Sequence, residues 1–478
     1  MIGQHHLGNQ ITRQCEEQRN PESTSGHKRP AEVKAHDSDD GKCAQSIKSR
    51  DVLDSPLIVF PHEVRIVGRV FRKYAPPTIS DTASDFWVSP TKVRHRMDLN
   101  ETSEESAFRA EARAWLEANV PASPLPSFDT EEGFAQHRVW EKKLYDGRWS
   151  AVSWPVEYGG RDADYIKWLI FEEEYYRAGA PGRVNQNGIF LLGPTIMEVG
   201  TEEQKAKFLP SMASSEIVWG QAWSEPNAGS DLAGMRSKAT RDGDDWILNG
   251  QKIWASRAVW ADWCFGIFRT DPTADRHRGL TFILCPLDLP GITVRPIAQL
   301  DGDTGFAEIF FDDVRVPVAN TLGEENKGWN VAMATAGFER GVSLRSPARF
   351  GEAVNRLIHL WRTYADPSDT ALSDAVTDVW MQAEGYRLHT YQTVTGMLEG
   401  RPIGAEASLN KIFWSEMDVR IHEIALQILG PEAERMEGPF ERWVDGFLFS
   451  LSGPIYAGTN EIQRNIIADR VLQLPKGM

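Results

Sequence analysis

From Thr102 onward the apolar residues recur at helical spacing. Thr102 and Glu105 form the Thr-x-x-Glu pattern of a capping box, and Phe108, Ala112, Trp115 and Leu116 then share one face until Pro121 ends the run. Further helical patterns cover 135–144 and 165–177, separated by a loop whose Pro155, Gly159 and Gly160 account for the break. Gly193-Pro194 and Gly200-Thr201 punctuate the next helices, and Pro210 is expected to close the last of them. Beyond residue 219 the pattern shifts to β-branched and aromatic runs at 263–268, 280–285, 292–297 and 306–311, set between turns rich in Pro, Gly and Asp. Asp242-Gly243 and Asn249-Gly250 read as tight hairpin turns. After Gly328 the helical period returns over 329–344, 372–398 and 405–429, lengths that predict a bundle of antiparallel helices. The fold class is therefore α+β: an N-terminal helical domain over 97–218, a middle antiparallel β-barrel or sandwich over 219–322, and a C-terminal helical bundle over 323–478.

Residues 1–96 follow no such pattern. The first fifty or so are rich in Gln, Lys, Arg, Glu, Asp, Ser and His with almost no apolar periodicity, which predicts a disordered or non-native extension. Short strands at 57–60 and 64–67 lack an evident partner. A chain of 478 residues with 41% hydrophobic content is ordinary for a soluble globular protein. It shows neither the uninterrupted apolar run of a membrane span nor a signal peptide, which points to the cytoplasm. A formal charge of -16 argues against nucleic acid as a partner. Cys15, Cys43, Cys264 and Cys285 show no CxxC pairing, and His5-His6 with Cys15 has poor ligand spacing, so neither a metal nor a disulfide framework is expected. Glu172, Glu173 and Glu174 are successive residues that spread around a helix, which predicts a solvated face rather than acid-base chemistry.

Candidate chemistry gathers in two neighbouring pieces. In Trp219-Gly220-Gln221-Ala222-Trp223-Ser224-Glu225-Pro226-Asn227-Ala228-Gly229-Ser230-Asp231 the turn formers can aim successive backbone N–H groups outward, making a small anion-binding nest. Asn249-Gly250-Gln251-Lys252-Ile253-Trp254-Ala255-Ser256 then sets an aromatic ring beside a small hydroxyl, suited to a flat ring system. With Leu192-Gly193-Pro194-Thr195, Gly200-Thr201-Glu202-Glu203-Gln204-Lys205 and the near-terminal Tyr456-Ala457-Gly458-Thr459-Asn460-Glu461-Ile462-Gln463-Arg464-Asn465, the chain from about Met97 resembles the acyl-CoA dehydrogenase family. The resemblance implies FAD as cofactor, held by Gln221, Ala222, Trp223, Ser224, Gly229, Ser230, Trp254, Ala255 and Ser256, and by Thr459, Asn460 and Glu461. It also implies an acyl-CoA substrate touching Ser230, Phe338, Arg340 and Gly458, lipid catabolism, and an electron-transfer flavoprotein as partner.

Two departures from the family pattern matter. Removing a proton alpha to a thioester, while hydride leaves the beta carbon for flavin N5, needs a carboxylate base. In many members it directly precedes Gly-Thr in the terminal motif, where this chain has Ala457. The isovaleryl and long-chain branch instead uses a glutamate beside an arginine on an earlier helix, and Gly337-Phe338-Glu339-Arg340 stands there, so the resemblance implies Glu339 as base. Homotetrameric members also carry Arg-x-x-Phe-Gly, which contacts the flavin pyrophosphate of a neighbouring subunit. The region Trp361-Arg362-Thr363-Tyr364-Ala365-Asp366-Pro367-Ser368 has no such motif, Arg349-Phe350-Gly351 comes too early, and Gln427-Ile428-Leu429-Gly430-Pro431 replaces Gln-x-x-Gly-Gly. This is the pattern of a base-bearing chain in a heteromer, with a homo-oligomer as the alternative. The function implied is conversion of an acyl-CoA to its trans-2-enoyl-CoA. A non-catalytic subunit, or an oxidase or monooxygenase on the same fold, stays open. Expression from Met97 should yield a folded, flavin-binding protein, checked by far-UV circular dichroism and flavin absorbance; an unfolded product would place the first 96 residues inside the domain.

Overall fold

The computed structural model describes residues 99–475, apart from 341–344, 402, 436–437 and 439, and without the side chains of Glu339, Arg340 and Glu441. The expectations for 1–96, including the strands at 57–60 and 64–67, lie outside the described residues.

Helix α1 (Ser103–Asn119) starts on the expected capping box: the Glu105 N–H donates to Thr102 Oγ1 at 3.1 Å and the Thr102 N–H to Glu105 Oε2 at 2.7 Å. Such a cap contributes about 1 kcal/mol. Ala112 and Leu116 are buried against α2 (Glu131–Asp146) and α3 (Tyr165–Arg177), in a cluster where Trp149 stacks on Phe171 at 5.3 Å between ring centres. The predicted solvated face on α3 is corrected: Glu172 and Glu174 are buried. Glu174 accepts from Arg109 at 2.9 Å and from Arg113 at 3.0 Å, and also binds Arg177. Burial works to raise its carboxyl pKa, and the Arg113 and Arg109 guanidiniums more than reverse this, leaving it below the usual carboxylate range. Adjacent glutamates do point in different directions, but α1 supplies arginines on one of those sides, which helical periodicity does not reveal.

A run of π-type turns, Asn187–Leu192, leads directly into α4 (Gly193–Val199). Gly193 is required where it stands, since a Cβ there would meet the Trp154 ring at 2.2 Å. Helix α5 (Glu202–Ala213) does not stop at Pro210, contrary to expectation. The proline sits in the last turns, where it forfeits only its own N–H, and its carbonyl still accepts from Ser214 N at 3.0 Å.

The middle region is one curled seven-stranded sheet: β1 (Trp219–Ala222), β2 (Lys238–Asp242), β3 (Asp245–Ser256), β4 (Trp263–Arg269), β5 (Leu280–Pro286), β6 (Ile292–Ile297) and β7 (Phe306–Pro317), ordered β1-β4-β2-β3-β7-β6 with β5 on β4. Most pairings are antiparallel as expected, but β1 runs parallel to β4. Strand β4 is buried on both faces: Phe265 and Ile267 pack toward α5, while Cys264 and Phe268 join the second core with Val314 and Val316. The turn between β2 and β3 is at Gly243, with φ 63°, as expected. The hairpin expected at Asn249-Gly250 is overturned. Both residues lie inside β3, where the ladder to β7 slips between Leu248 and Gly250. Gly250 (φ 145°) relaxes the slip and admits β2, since a Cβ would come within 2.7 Å of Ser237 Cα. A two-residue turn signal and a bulge glycine look alike until the partner strand is known.

Helix α6 (Gly328–Arg340) leaves the sheet, followed by α7 (Pro347–Tyr364), α8 (Thr370–Leu398), α9 (Ala407–Leu429), α10 (Glu441–Ser450) and the short α11 (Asn460–Ile466). Helices α7, α8 and α9 enclose Phe350, Leu357, Val379, Tyr386, Trp414 and Ile421. Among the described residues, no helix is long and apolar enough to cross a membrane, no metal-ligating cluster occurs, and Cys264 and Cys285 are free, buried thiols facing each other across β4 and β5.

Candidate active site

The loop after β1 is closed by Glu225 and Ala228, which exchange backbone hydrogen bonds of 3.0 Å around Pro226-Asn227. It lies against β3, where the Ile253 N–H donates to the Ser224 carbonyl at 2.9 Å. One buried ion pair fixes this arrangement. Lys252 is fully buried, and its Nζ donates to Glu225 Oε1 at 2.8 Å and to the Trp223 carbonyl at 3.3 Å. Glu225 also accepts from the backbone N–H groups of Arg236 (2.6 Å) and Ser237 (2.9 Å). Burial pushes the Lys252 ammonium pKa down. It works in the opposite direction on Glu225, where the Lys252 charge prevails and holds the carboxyl below its usual range.

Two residues past Lys252 the β3–β7 ladder slips again, and at this bulge Trp254 takes φ 59° and holds its indole 58% exposed, edge-on to Phe306. A left-handed conformation at a tryptophan costs about 1–2 kcal/mol, and the exposed ring adds unburied apolar surface. That cost fits a wall for a planar group. Ser256 is half-buried on the same strand, and Gln221 and Ser224 are half-buried beside it. Ala222 and Ala255 have their side chains in the core and can offer a ligand only backbone groups, and Trp223 packs edge-on to Phe265 and Phe282. Gly229 and Ser230 are exposed on the loop. No protein atom lies within 4 Å of a Cβ built on Gly229, so packing inside the protein does not demand glycine there. An exposed aromatic face beside a loop of small residues suits a flavin.

In the terminal motif Ala457 (φ 59°) and Gly458 (φ 77°) form a left-handed turn, whose Ala457 carbonyl accepts from Gln463 Nε2 at 2.8 Å. Thr459 caps α11. Asn460 is buried and its side chain is taken up by Lys411 (2.8 Å), Ser415 and Glu416, so it secures the turn to α9. Glu461 is turned to solvent.

Glu339 and Arg340 are the last two described residues of α6. That helix is tied to α4 through buried hydroxyls, Thr335 Oγ1 to Thr195 Oγ1 at 3.0 Å. The residue before Glu339, Phe338, lines a cavity of about 390 Å³ running back into the N-terminal helices. Trp154, Tyr165, Trp168, Ile189 and Phe190 supply its apolar walls, and Ser150, Arg183 and Glu198 its polar ones. Arg183 is buried over the Tyr175 ring at 4.5 Å and donates to Glu172 at 3.1 Å. Burial pushes the Glu172 carboxyl up against the pull of Arg183. Apart from Phe338, none of these residues stands out in the sequence; they come from separate segments and carry no local motif.

The chain matches three family models in order: the acyl-CoA dehydrogenase N-terminal domain over residues 102–216, the middle domain over 220–314 and the C-terminal domain over 326–472. It is 38% identical over 377 residues to acyl-CoA dehydrogenase IpdE1 of Mycobacterium tuberculosis, covering 77% of this chain and 97% of the relative. The chain belongs to the acyl-CoA dehydrogenase family. Among solved structures it resembles the Tcur3481-Tcur3483 steroid ACAD (TM-score 0.71, 29% identity, 80% of this chain and 100% of that one). It also resembles the ChsE4-ChsE5 complex from Mycobacterium tuberculosis (TM-score 0.70, 30% identity, 80% and 100%). The protein is thus an acyl-CoA dehydrogenase and, as a member of that family, a flavoprotein whose cofactor is FAD.

Two outcomes are expected for this dehydrogenase. Lys252→Met should destabilise the fold by about 3–5 kcal/mol by stranding a buried carboxylate, and Lys252→Met with Glu225→Leu should be milder; chemical denaturation of both variants checks the order. Trp254→Ala with Ser256→Ala should lose most bound FAD, and an unchanged flavin spectrum after desalting would rule out that wall.

Proposed function

We propose that the enzyme dehydrogenates an acyl-CoA thioester to its trans-2-enoyl-CoA, with Glu339 as the base that removes the alpha proton. Phe338 is the observation that carries this reading: it lines the cavity directly before Glu339, so the helix that carries Glu339-Arg340 also walls the chamber suited to the acyl group. When bound, FAD supplies the hydride acceptor at N5. Trp254 and Ser256 would flank its ring system, Gln221 to Ser230 and Thr459 to Glu461 the rest of it, and Ser230, Arg340 and Gly458 the thioester and CoA portions. Trp154, Tyr165, Trp168, Ile189 and Phe190 would set the acyl group against apolar walls. An electron-transfer flavoprotein then takes the electrons. Residues 97–218, 219–322 and 323–478 are read as the three domains sharing this work.

A second feature bears on assembly. Arg349 is paired with Asp418 at 3.0 Å and Phe350 is in the bundle core, so the early Arg-Phe-Gly is spent on packing. One structural neighbour is the ChsE4-ChsE5 complex, and the other bears the paired name Tcur3481-Tcur3483. Both observations favour a heteromer in which this chain bears the base and another chain completes the pyrophosphate contacts.

Glu339→Gln should abolish bleaching of the flavin by substrate while keeping thioester affinity, since general-base catalysis contributes about a hundred- to ten-thousandfold. Stopped-flow absorbance of the enzyme, with any subunit that copurifies, measures this. Full reduction in Glu339→Gln would eliminate Glu339 as the base. Partial recovery in Glu339→Gln with Ala457→Glu would place both positions around one reaction centre.

A further inference from the structure

The left-handed turn of the terminal motif is held from one side by a single side chain. Gln463 is buried, and its Nε2 donates to the Ala457 carbonyl at 2.8 Å and reaches the Gly458 carbonyl at 3.4 Å. The two ends of the turn are pinned separately, by the Tyr456 N–H to the Ser452 carbonyl at 3.1 Å and by the Asn460 N–H to the Pro454 carbonyl at 2.9 Å. Gly458 is fitted to the same contact, since a Cβ there would come within 2.7 Å of Gln463 Nε2. The carbonyl and the N–H of one trans peptide point in opposite directions. The Ala457 carbonyl faces Gln463, so the Gly458 N–H in the same peptide faces away from it, and among the described residues that N–H has no acceptor. Donation to the carbonyl also polarises the peptide and strengthens its N–H as a donor. The other end of the side chain, Gln463 Oε1, is enclosed without a partner among the described residues. A residue selected for stability alone would have both ends satisfied; this one leaves a buried acceptor bare while it holds the turn.

We propose that Gln463 is a positioning residue for the dehydrogenation, which aims and polarises the Gly458 N–H toward the thioester oxygen. The inference rests on the reading of this turn as the thioester contact. When the alpha proton leaves for Glu339, negative charge builds on that oxygen, and a donor already aimed at it lowers the barrier without having to move. Gln463 acts through one peptide plane and touches neither the thioester nor the reacting carbons.

The test follows bleaching of the bound flavin by stopped flow in native, Gln463→Met and Gln463→Glu enzyme, each with any copurifying subunit. The probe is whichever of butanoyl-, octanoyl-, palmitoyl- and 3-cyclohexylpropanoyl-CoA bleaches the native flavin fastest, and its concentration dependence separates the limiting rate from the Kd. Gln463→Met keeps the length of the side chain but cannot donate. It should lower the limiting rate at least about tenfold while the Kd stays within about threefold, because the lost interaction belongs to the transition state. In Gln463→Glu the new carboxyl donates only while protonated, a form that burial favours and falling pH populates. The rate of Gln463→Glu relative to Gln463→Met should therefore rise as the pH falls from about 8 to about 6, whereas a side chain that only fills space gives a flat ratio. A native limiting rate in Gln463→Met overturns the inference and leaves the proposed reaction standing, and a flat ratio does the same. Loss of FAD from both variants on desalting would make Gln463 a packing residue and overturn it too. If none of these thioesters bleaches the native flavin, the proposed dehydrogenation falls and the inference falls with it.

Discussion

The buried pair of Lys252 and Glu225 is the constraint on which the loop after β1 and the Trp254 bulge depend. A lysine with no exposed surface is tolerated only because a carboxylate lies at 2.8 Å, and that carboxylate also gathers the backbone N–H groups of Arg236 and Ser237. Three segments, the loop after β1, the start of β2 and the middle of β3, are thereby drawn to one point. The bulge presenting Trp254 follows immediately, so the exposed ring inherits its position from an interaction wholly inside the sheet.

The substrate side is built by different means. Helix α6 carries Phe338 and Glu339 away from the sheet, and the Thr195–Thr335 contact holds it beside the π-type turns and α4. Gly193 lets Trp154 pack closely at the same place. The cavity is therefore walled by residues of the N-terminal region together with Phe338 of α6. Irregular helical turns are common near binding sites because they turn side chains off the regular 100° step.

Burial of charge recurs through the N-terminal helices. Glu174 is surrounded by Arg109, Arg113 and Arg177, and Glu172 by Arg183. The first set is a strut joining α1 to α3, part of it open to solvent and so of modest worth. The second is enclosed and faces the cavity, where its polarity bears on what can enter.

The order of helices, strands and helices was legible in the sequence because each relies on local periodicity, and the capping box at Thr102 is a local contact between residues three apart. The motifs of the family, in order along the chain, were likewise local, and they are what identified it. Tertiary structure alone decided that Asn249-Gly250 is a bulge, since that depends on β7 and on how closely Ser237 approaches. It alone buried Glu172 and Glu174, against arginines that α1 and the loop after α3 bring to them. It also brought Ser150, Trp168 and Arg183 to one cavity: the residues come from a loop, a helix and a second loop, share no spacing, and are set around one space only by packing.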